Sequence, residues 1–295
     1  MGNGLHKNGS DMIYDFCVLI TCFNHEQRLI RSLQSIHYHS KGYFVLIVDD
    51  GSDIPLSQTR LIEQLPDPPE IVILRSPTNG GITRALNEGL TYLNGTHDEG
   101  LTYEKYAARY IARLDCGDLC MKERFTNQVE FLDRHPDIDL LGTCCIFKDF
   151  SSGDSYRYLA PPDHDRIMRQ MHFKNVFIHP TVMWRASVTR RLPAYPDTYP
   201  HAEDYAYFFE MLQQGRAAIL KDFLVISEIN PKGISISFRR QQLKSRIDVV
   251  RKYGHNRLYG IMGELRLRLW MLVPAAWALK IKKWILFVKP IQHPS

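Results

Sequence analysis

No apolar run in this chain is both long enough and free enough of charge to read as a membrane span. The best candidate, near the C-terminus, is interrupted by Lys280, Lys282 and Lys283. Residues 1–11 hold no apolar signal core, and His6 stands where a myristoylation signal after Met1-Gly2 wants Ser or Thr. The six cysteines, Cys17, Cys22, Cys116, Cys120, Cys144 and Cys145, form no CxxC pair and fall mostly in strand-like apolar runs. That pattern predicts buried thiols in a reducing cytoplasm, not a disulfide framework or a zinc site. No GxGxxG follows the first apolar run, which argues against a nicotinamide or flavin enzyme, and no Walker loop is present. There is no internal repeat and no low-complexity segment.

What is present is an ordinary globular composition. The 295 residues are 44% hydrophobic and 23% charged, enough for one large domain or two small ones. The net charge of +5 is unevenly placed. Residues 255–295 carry seven basic side chains and one acid, which leaves the rest about neutral. The basic character therefore predicts a local anionic partner on the tail and no nucleic acid across the whole surface.

Short apolar runs alternate with helical periodicity through the first half. Runs 16–21 and 43–48 read as strands buried on both faces, and 70–74 as a third strand. Helices are expected over roughly 25–36, with Asn24 and Gln27 as a capping box, over 55–65 and over 83–93 after the Asn79-Gly80-Gly81 turn. Tyr110–Asp118 reads as a fourth strand that runs into two carboxylates, Asp115 and Asp118. A helix carrying Phe125, Val129 and Leu132 follows, stopped by His135-Pro136. Beyond it, strands are expected over 138–147, 176–184 and 218–228. Helices are expected over 163–171, from Glu203 to Gly215, over 236–253 and over 257–272. Alternating strand and helix predicts a parallel, doubly wound α/β sheet. Right-handed crossovers then bring Asn24, Asp49, Asp50, Asn79 and Asp115 to one edge, where open α/β sheets place ligands.

Each candidate carries a plain reading and a chemical one. Asp115 and Asp118 on one tight turn can hold a divalent cation, and through it a diphosphate; otherwise Asp118 caps the next helix. In Asp49-Asp50-Gly51-Ser52 an acid can accept from a base or ribose, or the segment is simply a turn capped by Ser52 or Asp53. Glu203-Asp204 opens a helix, so the acids complement its dipole, or one serves as a general base. His179, inside an apolar run before Pro180, is a hydrogen-bonded core residue or a metal or phosphate contact.

The ordered series FCVLITCFNHEQRLIRSLQSI, FVLIVDDGSD, SPTNGGITRALNEGL, YIARLDCGDLCMKERFTNQVEFL, FIHPTVMWR and AEDYAYFF resembles a family 2 glycosyltransferase of the GT-A fold, over roughly residues 14–228. The resemblance implies a Rossmann-like, mostly parallel sheet with helices on both faces, extended by a C-terminal helical tail. It implies a disordered N-terminus over 1–13, a catalytic domain over 14–255 (nucleotide half 14–135, acceptor half 136–255) and a basic amphipathic tail over 256–295. The reaction implied is inverting transfer of a sugar from a nucleotide-diphospho-sugar, UDP by prevalence, to an acceptor hydroxyl. Thr21, Phe23 and Asn24 match the nucleotide-binding first loop, and Asp50, with Asp49, the base-contacting acid. Asn79, Arg84, Arg113 and Asp115 complete the expected nucleotide site. Asp204, beside Glu203, matches the catalytic base. A divalent cation, Mn²⁺ or Mg²⁺, is implied with Asp115, Asp118 and His179 as ligands. The pattern departs from the family at Gly117, where a direct metal ligand usually stands. Asp118, fewer protein ligands, or charge from Arg84, Arg113 and His179 would have to compensate.

In the tail, Trp270, Trp277 and Trp284 recur at spacing seven with Val273, Ile281 and Val288, and Arg268, Lys282, Lys283 and Lys289 oppose them. Residues 265–290 are thus expected to lie on an anionic membrane surface at the cytoplasmic face. This would suit a lipid-linked glycan acceptor in surface polysaccharide synthesis. Competing readings are a sugar-nucleotide pyrophosphorylase and a non-catalytic nucleotide-sugar-binding subunit.

Overall fold

Two apolar faces alternate along the first two strands, and both are buried. In β1 (Tyr14–Cys22), Cys17 and Leu19 enter one core while Phe16, Val18 and Ile20 enter another on the opposite side of the sheet. β2 (Tyr43–Asp49) is buried along its whole length in the same alternating manner. Because strand side chains point alternately to opposite faces, a run with no polar gap demands cover on both. α1 (Glu26–Gln34) and α4 (Arg124–Arg134) cover one face with Leu29, Ile30, Leu33, Phe125, Val129 and Leu132. α3 (Ile82–Leu93) and α7 (Glu203–Gln214) cover the other, with Ala85, Leu86, Leu90, Phe208 and Phe209.

The structure is a computed structural model and describes residues 13–40, 42–95, 107–229, 238–274 and 277. Its nine-stranded sheet runs β3-β2-β1-β4-β8-β6-β9-β5, with β7 (Ser155–Tyr158) paired to β6. β3 (Glu70–Arg75), β2, β1 and β4 (Ala108–Arg113) are parallel, as are β6 (Ile138–Lys148) and β9 (Arg216–Glu228). Between these blocks the three-residue β8 (Met183–Arg185) is antiparallel to both neighbours, and the two-residue β5 (Leu119–Cys120) is antiparallel to β9. The remaining helices are α2 (Gln58–Glu63), α5 (His164–Met171), α6 (Ala186–Arg191), α8 (Arg239–Tyr253) and α9 (Arg257–Leu272).

Three local expectations are corrected. Asn24 does not cap α1; its φ of 57° and side-chain bonds turn it elsewhere, and His25 takes the cap position without a side-chain bond. Residues 176–182 are not strand, because Pro180 sets a 3-10 turn over His179–Thr181 and only Met183–Arg185 pair. Trp270 packs half-buried against the core, so it does not share an outward face with Trp277. The outward apolar stripe lies on α9 instead: Leu258, Ile261, Met262, Leu265, Leu269 and Leu272 are exposed at helical spacing, and Gly263 and Leu267 face inward. Ile281, Trp284 and Val288, with Lys280, Lys282, Lys283 and Lys289, lie outside the described residues, as do residues 1–12. No helix among the described residues is long and apolar enough to cross a membrane.

Candidate active site

The ends of β1 and β2 are tied together before any ligand is considered. Asn24 Oδ1 accepts from Asp53 N at 2.8 Å, its Nδ2 donates to Asp53 Oδ2 at 3.0 Å, and its own amide donates to Ser52 Oγ at 2.9 Å. Asn24 thus staples two loops, and Phe23 beside it is left 40% exposed. Thr21, half-buried, is the β1 residue paired with Val48 in register.

The two adjacent acids at the end of β2 have different neighbours. Asp49 is fully buried and accepts from Ser52 N (3.0 Å), Leu56 N (3.2 Å) and Arg75 Nη1 (2.5 Å). Burial pushes its carboxyl up, but these bonds outweigh burial and hold it below the usual carboxylate range. The Asp49 carboxylate is thus engaged by the loop and by Arg75. Asp50 accepts from Gly80 N and Gly81 N at 2.8 and 2.9 Å, which fixes the entrance to α3. Exposed Asn79 and Arg84 stand on that entrance, Arg84 paired with Glu88 at 3.1 Å.

Arg113, the last residue of β4, is fully buried. Its Nη2 donates to Asp115 Oδ1 at 2.5 Å, its Nη1 to the carbonyls of Leu19 and Leu114, and its Nε to His179 Nε2 at 3.3 Å. The Tyr195 hydroxyl lies 3.0 Å from the same Nε2. An imidazole nitrogen facing a guanidinium must accept, so His179 is neutral with its proton on Nδ1. Burial first, and then the Arg113 charge, drive its pKa well below the usual value. His179 thus stands in a buried chain, Tyr195–His179–Arg113–Asp115.

On the turn after β4, Gly117 adopts φ 108° and donates its amide to Ser32 Oγ at 2.8 Å. Asp118 neither caps a helix nor faces outward. α4 starts at Arg124, and Asp118 is buried with Oδ1 accepting from Glu228 N at 2.8 Å. Burial and then the Asp115 charge push its carboxyl up to about 8. Cys116 Sγ lies 3.7 Å from Cys22 Sγ. All six cysteines are free thiols.

No three His, Cys, Asp or Glu side chains among the described residues are grouped to hold a metal ion, so the set Asp115, Asp118 and His179 is not assembled as one site. Asp115 alone fits the task. Arg113 orients one of its oxygens, and the side chain is 37% exposed. Mg²⁺ or Mn²⁺ bound by one carboxylate, with the other positions on phosphate oxygens and water, is an ordinary arrangement for such ions.

The acids at the start of α7 form the second locus. Asp204 Oδ2 accepts from Asn175 Nδ2 at 2.9 Å, and its Oδ1 from Tyr205 N at 2.7 Å. Burial raises its pKa; Arg246 on α8 opposes this, Asp115 adds to it, and the net shift is upward. Glu203 is buried with Oε2 unpartnered, and burial followed by Asp204 pushes it up to about 7. Asn175, Tyr195 and Arg246 were not singled out from the sequence. Tyr195 lay in a Pro/Tyr-rich loop that offered a hint; the other two offered none.

Residues 17–192 match the family model described as Glycosyl transferase family 2. Among curated relatives, the amylovoran biosynthesis glycosyltransferase AmsE of Erwinia amylovora is 28% identical over 220 residues, spanning 71% of this chain and 74% of AmsE. The bifunctional glycosyltransferase pgtA of Dictyostelium discoideum is 24% identical over 216 residues, covering 62% of this chain but only 26% of the relative, about a quarter of its length. Among solved structures, S. aureus TarS 1–349 in complex with UDP-GlcNAc superposes with TM-score 0.62 at 16% identity, over 93% of this chain and 76% of that one. The mannosyltransferase PcManGT of Pyrobaculum calidifontis, in complex with GDP-Man and Mn²⁺, gives TM-score 0.62 at 16% identity, over 94% and 77%. These neighbours share the GT-A architecture described above.

Proposed function

The chain belongs to glycosyl transferase family 2 and is a glycosyltransferase, and on that premise we propose that it transfers a sugar, with inversion, from a nucleotide-diphospho-sugar to an acceptor hydroxyl, with Asp204 as general base. The observation that carries this reading is electrostatic. The Asp115 charge, at the end of β4, raises the proton affinity of both Glu203 and Asp204 at the start of α7. Acids whose charges interact lie near one another, and that proximity supports a donor held at Asp115 with an acceptor at Asp204.

On the donor side, Phe23 offers a ring face to the base, while Asp50 orders the Gly80–Gly81 turn beside it. Asp115, held by Arg113, is the residue that would hold a divalent cation, Mn²⁺ or Mg²⁺. Such a cation supplies positive charge where the diphosphate departs. On the acceptor side, Asp204 takes the hydroxyl proton as the acceptor oxygen bonds to the anomeric carbon. The bond from that carbon to the diphosphate oxygen breaks on the opposite face, which inverts the configuration. UDP-sugars are the first donors to test, with GDP-sugars second, because the TarS and PcManGT complexes hold one of each.

The likeness to an amylovoran biosynthesis glycosyltransferase supports a polysaccharide as acceptor, which we place on a lipid carrier. The exposed stripe on α9, flanked by Arg257, Arg266 and Arg268, supports peripheral contact with an anionic membrane, over residues 258–272 as well as the tail. The test is a donor screen read out as released nucleoside diphosphate. Asp204→Asn should keep nucleotide affinity and lose about 10²–10⁴ in turnover. Transfer at the unmutated rate would overturn the base assignment, and failure of every nucleotide-sugar to bind would overturn the reaction.

A further inference from the structure

The turn that lacks a second metal-binding carboxylate has a guanidinium in its place. A Cβ built on Gly117 would lie 2.7 Å from Arg28 Nε, 2.9 Å from its Nη2 and 3.1 Å from its Cζ. With φ at 108° as well, this position resists any side chain. Arg28 projects from α1 one turn before Ser32, whose Oγ receives the Gly117 amide at 2.8 Å. Its Nη2 donates to Glu228 Oε2 at 2.5 Å, and the two side chains are 24% and 21% exposed. Glu228 in turn gives its amide to Asp118. Arg28 is therefore held against the turn by Gly117 on one side and Glu228 on the other.

The cation is also incompletely used. Its Nε is buried without an acceptor, and among the described residues only Nη2 has one. Leaving such a donor unpaired is costly, and Nη1, without an acceptor among the described residues, is left to receive an anion. A guanidinium matches phosphate oxygens in a planar, bidentate fork.

Building on the donor reading above, we propose that Arg28 is a diphosphate-binding residue of this enzyme, standing where the turn lacks its carboxylate and carrying part of the positive charge that the departing nucleoside diphosphate requires. Arg28 and a cation at Asp115 then share the leaving group from neighbouring positions. The division explains how one turn works with a single outward carboxylate. Glu228 holds the guanidinium in place and tempers its charge.

The test is calorimetric binding of inorganic pyrophosphate, UDP and GDP to the full chain, each with EDTA and again with Mn²⁺, alongside uridine and guanosine, which lack phosphate. Arg28→Met should weaken pyrophosphate and the matching diphosphate in EDTA about 10- to 100-fold and leave the nucleoside unchanged. Arg28→Lys should recover part of that loss. Glu228→Gln, which frees the guanidinium, should bind pyrophosphate at least as tightly as the unmutated chain. If Arg28→Met binds pyrophosphate normally, or if Glu228→Gln weakens it as Arg28→Met does, Arg28 is a structural clamp and the proposal falls. That result leaves the donor reading standing provided the unmutated chain binds a diphosphate; if it binds none, both fall together.

Discussion

Asp49 and Arg75 are register partners across the parallel strands β2 and β3, and they form a 2.5 Å ion pair with the carboxylate fully buried. The pair separates two adjacent acids that sequence alone treats as equivalents. Asp49→Asn should cost about 3 kcal/mol, because removing one partner strands the other and frees two loop amides, or roughly 5–10 °C in melting temperature. Asp50→Asn should cost less stability and more nucleotide affinity. Because Asp49 titrates below its unfolded value, its contribution is present above the ordinary Asp range and is lost as pH falls through its lowered folded value. Melting temperature against pH, compared between the unmutated chain and Asp49→Asn, reads this directly: the variant should lack that acid-side loss.

Asp204 must be deprotonated to act, so turnover should fall as pH drops through its pKa. That pKa is raised, above all by burial, so the acid limb should lie above the ordinary aspartate range. Arg246 and Asn175 oppose the rise. Arg246→Met and Asn175→Leu should each move the limb to higher pH while sparing much of the turnover on the alkaline plateau. A limb that stays put in both variants would count against Asp204 as the titrating base.

Glu203 gives the opposite sign in a stability measurement. Its folded pKa, raised to about 7, exceeds the unfolded value, so the folded state binds the proton more tightly. The benefit is complete below the unfolded value and is lost as pH rises through about 7. Glu203→Gln should flatten the decline in melting temperature between the ordinary glutamate range and neutrality. An unchanged slope would show that the carboxyl is hydrated.

The exposed stripe on α9 gives a membrane prediction within the described residues. Leu265→Glu with Leu269→Glu should weaken co-sedimentation with phosphatidylglycerol vesicles at least about tenfold, the loss expected from removing even 1.4 kcal/mol of apolar insertion. Melting temperature should stay near that of the unmutated chain, because both side chains already face solvent. Equal sedimentation by the double variant would remove α9 from the membrane reading.

The parts of this fold visible in the sequence are those fixed by short-range periodicity. β1 and β2 announced themselves because their central runs, 16–20 and 43–48, are apolar and buried throughout, and α7 because its acids precede a run of aromatics. The opened turn at Asp115 and the acids at Asp204 were legible for the same reason. Tertiary partners were not. His179 looks like a ligand until Arg113, 66 residues away in the chain, claims its Nε2. Asn24 has the composition of a cap, and its partner Asp53 lies 29 residues on. β8 is three residues long, too short to display a period, yet it reverses the sheet direction between β4 and β6. Arg28 reads as one more surface cation on an amphipathic helix. Only the missing Cβ of Gly117 shows what it faces.

The bond from the Glu228 amide to Asp118 joins residues 110 positions apart, and β5 beside it pairs, among the described residues, with β9 alone. The first four parallel strands can pair while the chain is still emerging from the ribosome. The acidic turn cannot close until residue 228 has been made. Such long-range closure is slow relative to local pairing. The turn proposed to bind the donor is thus completed late, and nascent chains should acquire nucleotide-sugar affinity only after residue 228 has left the ribosome.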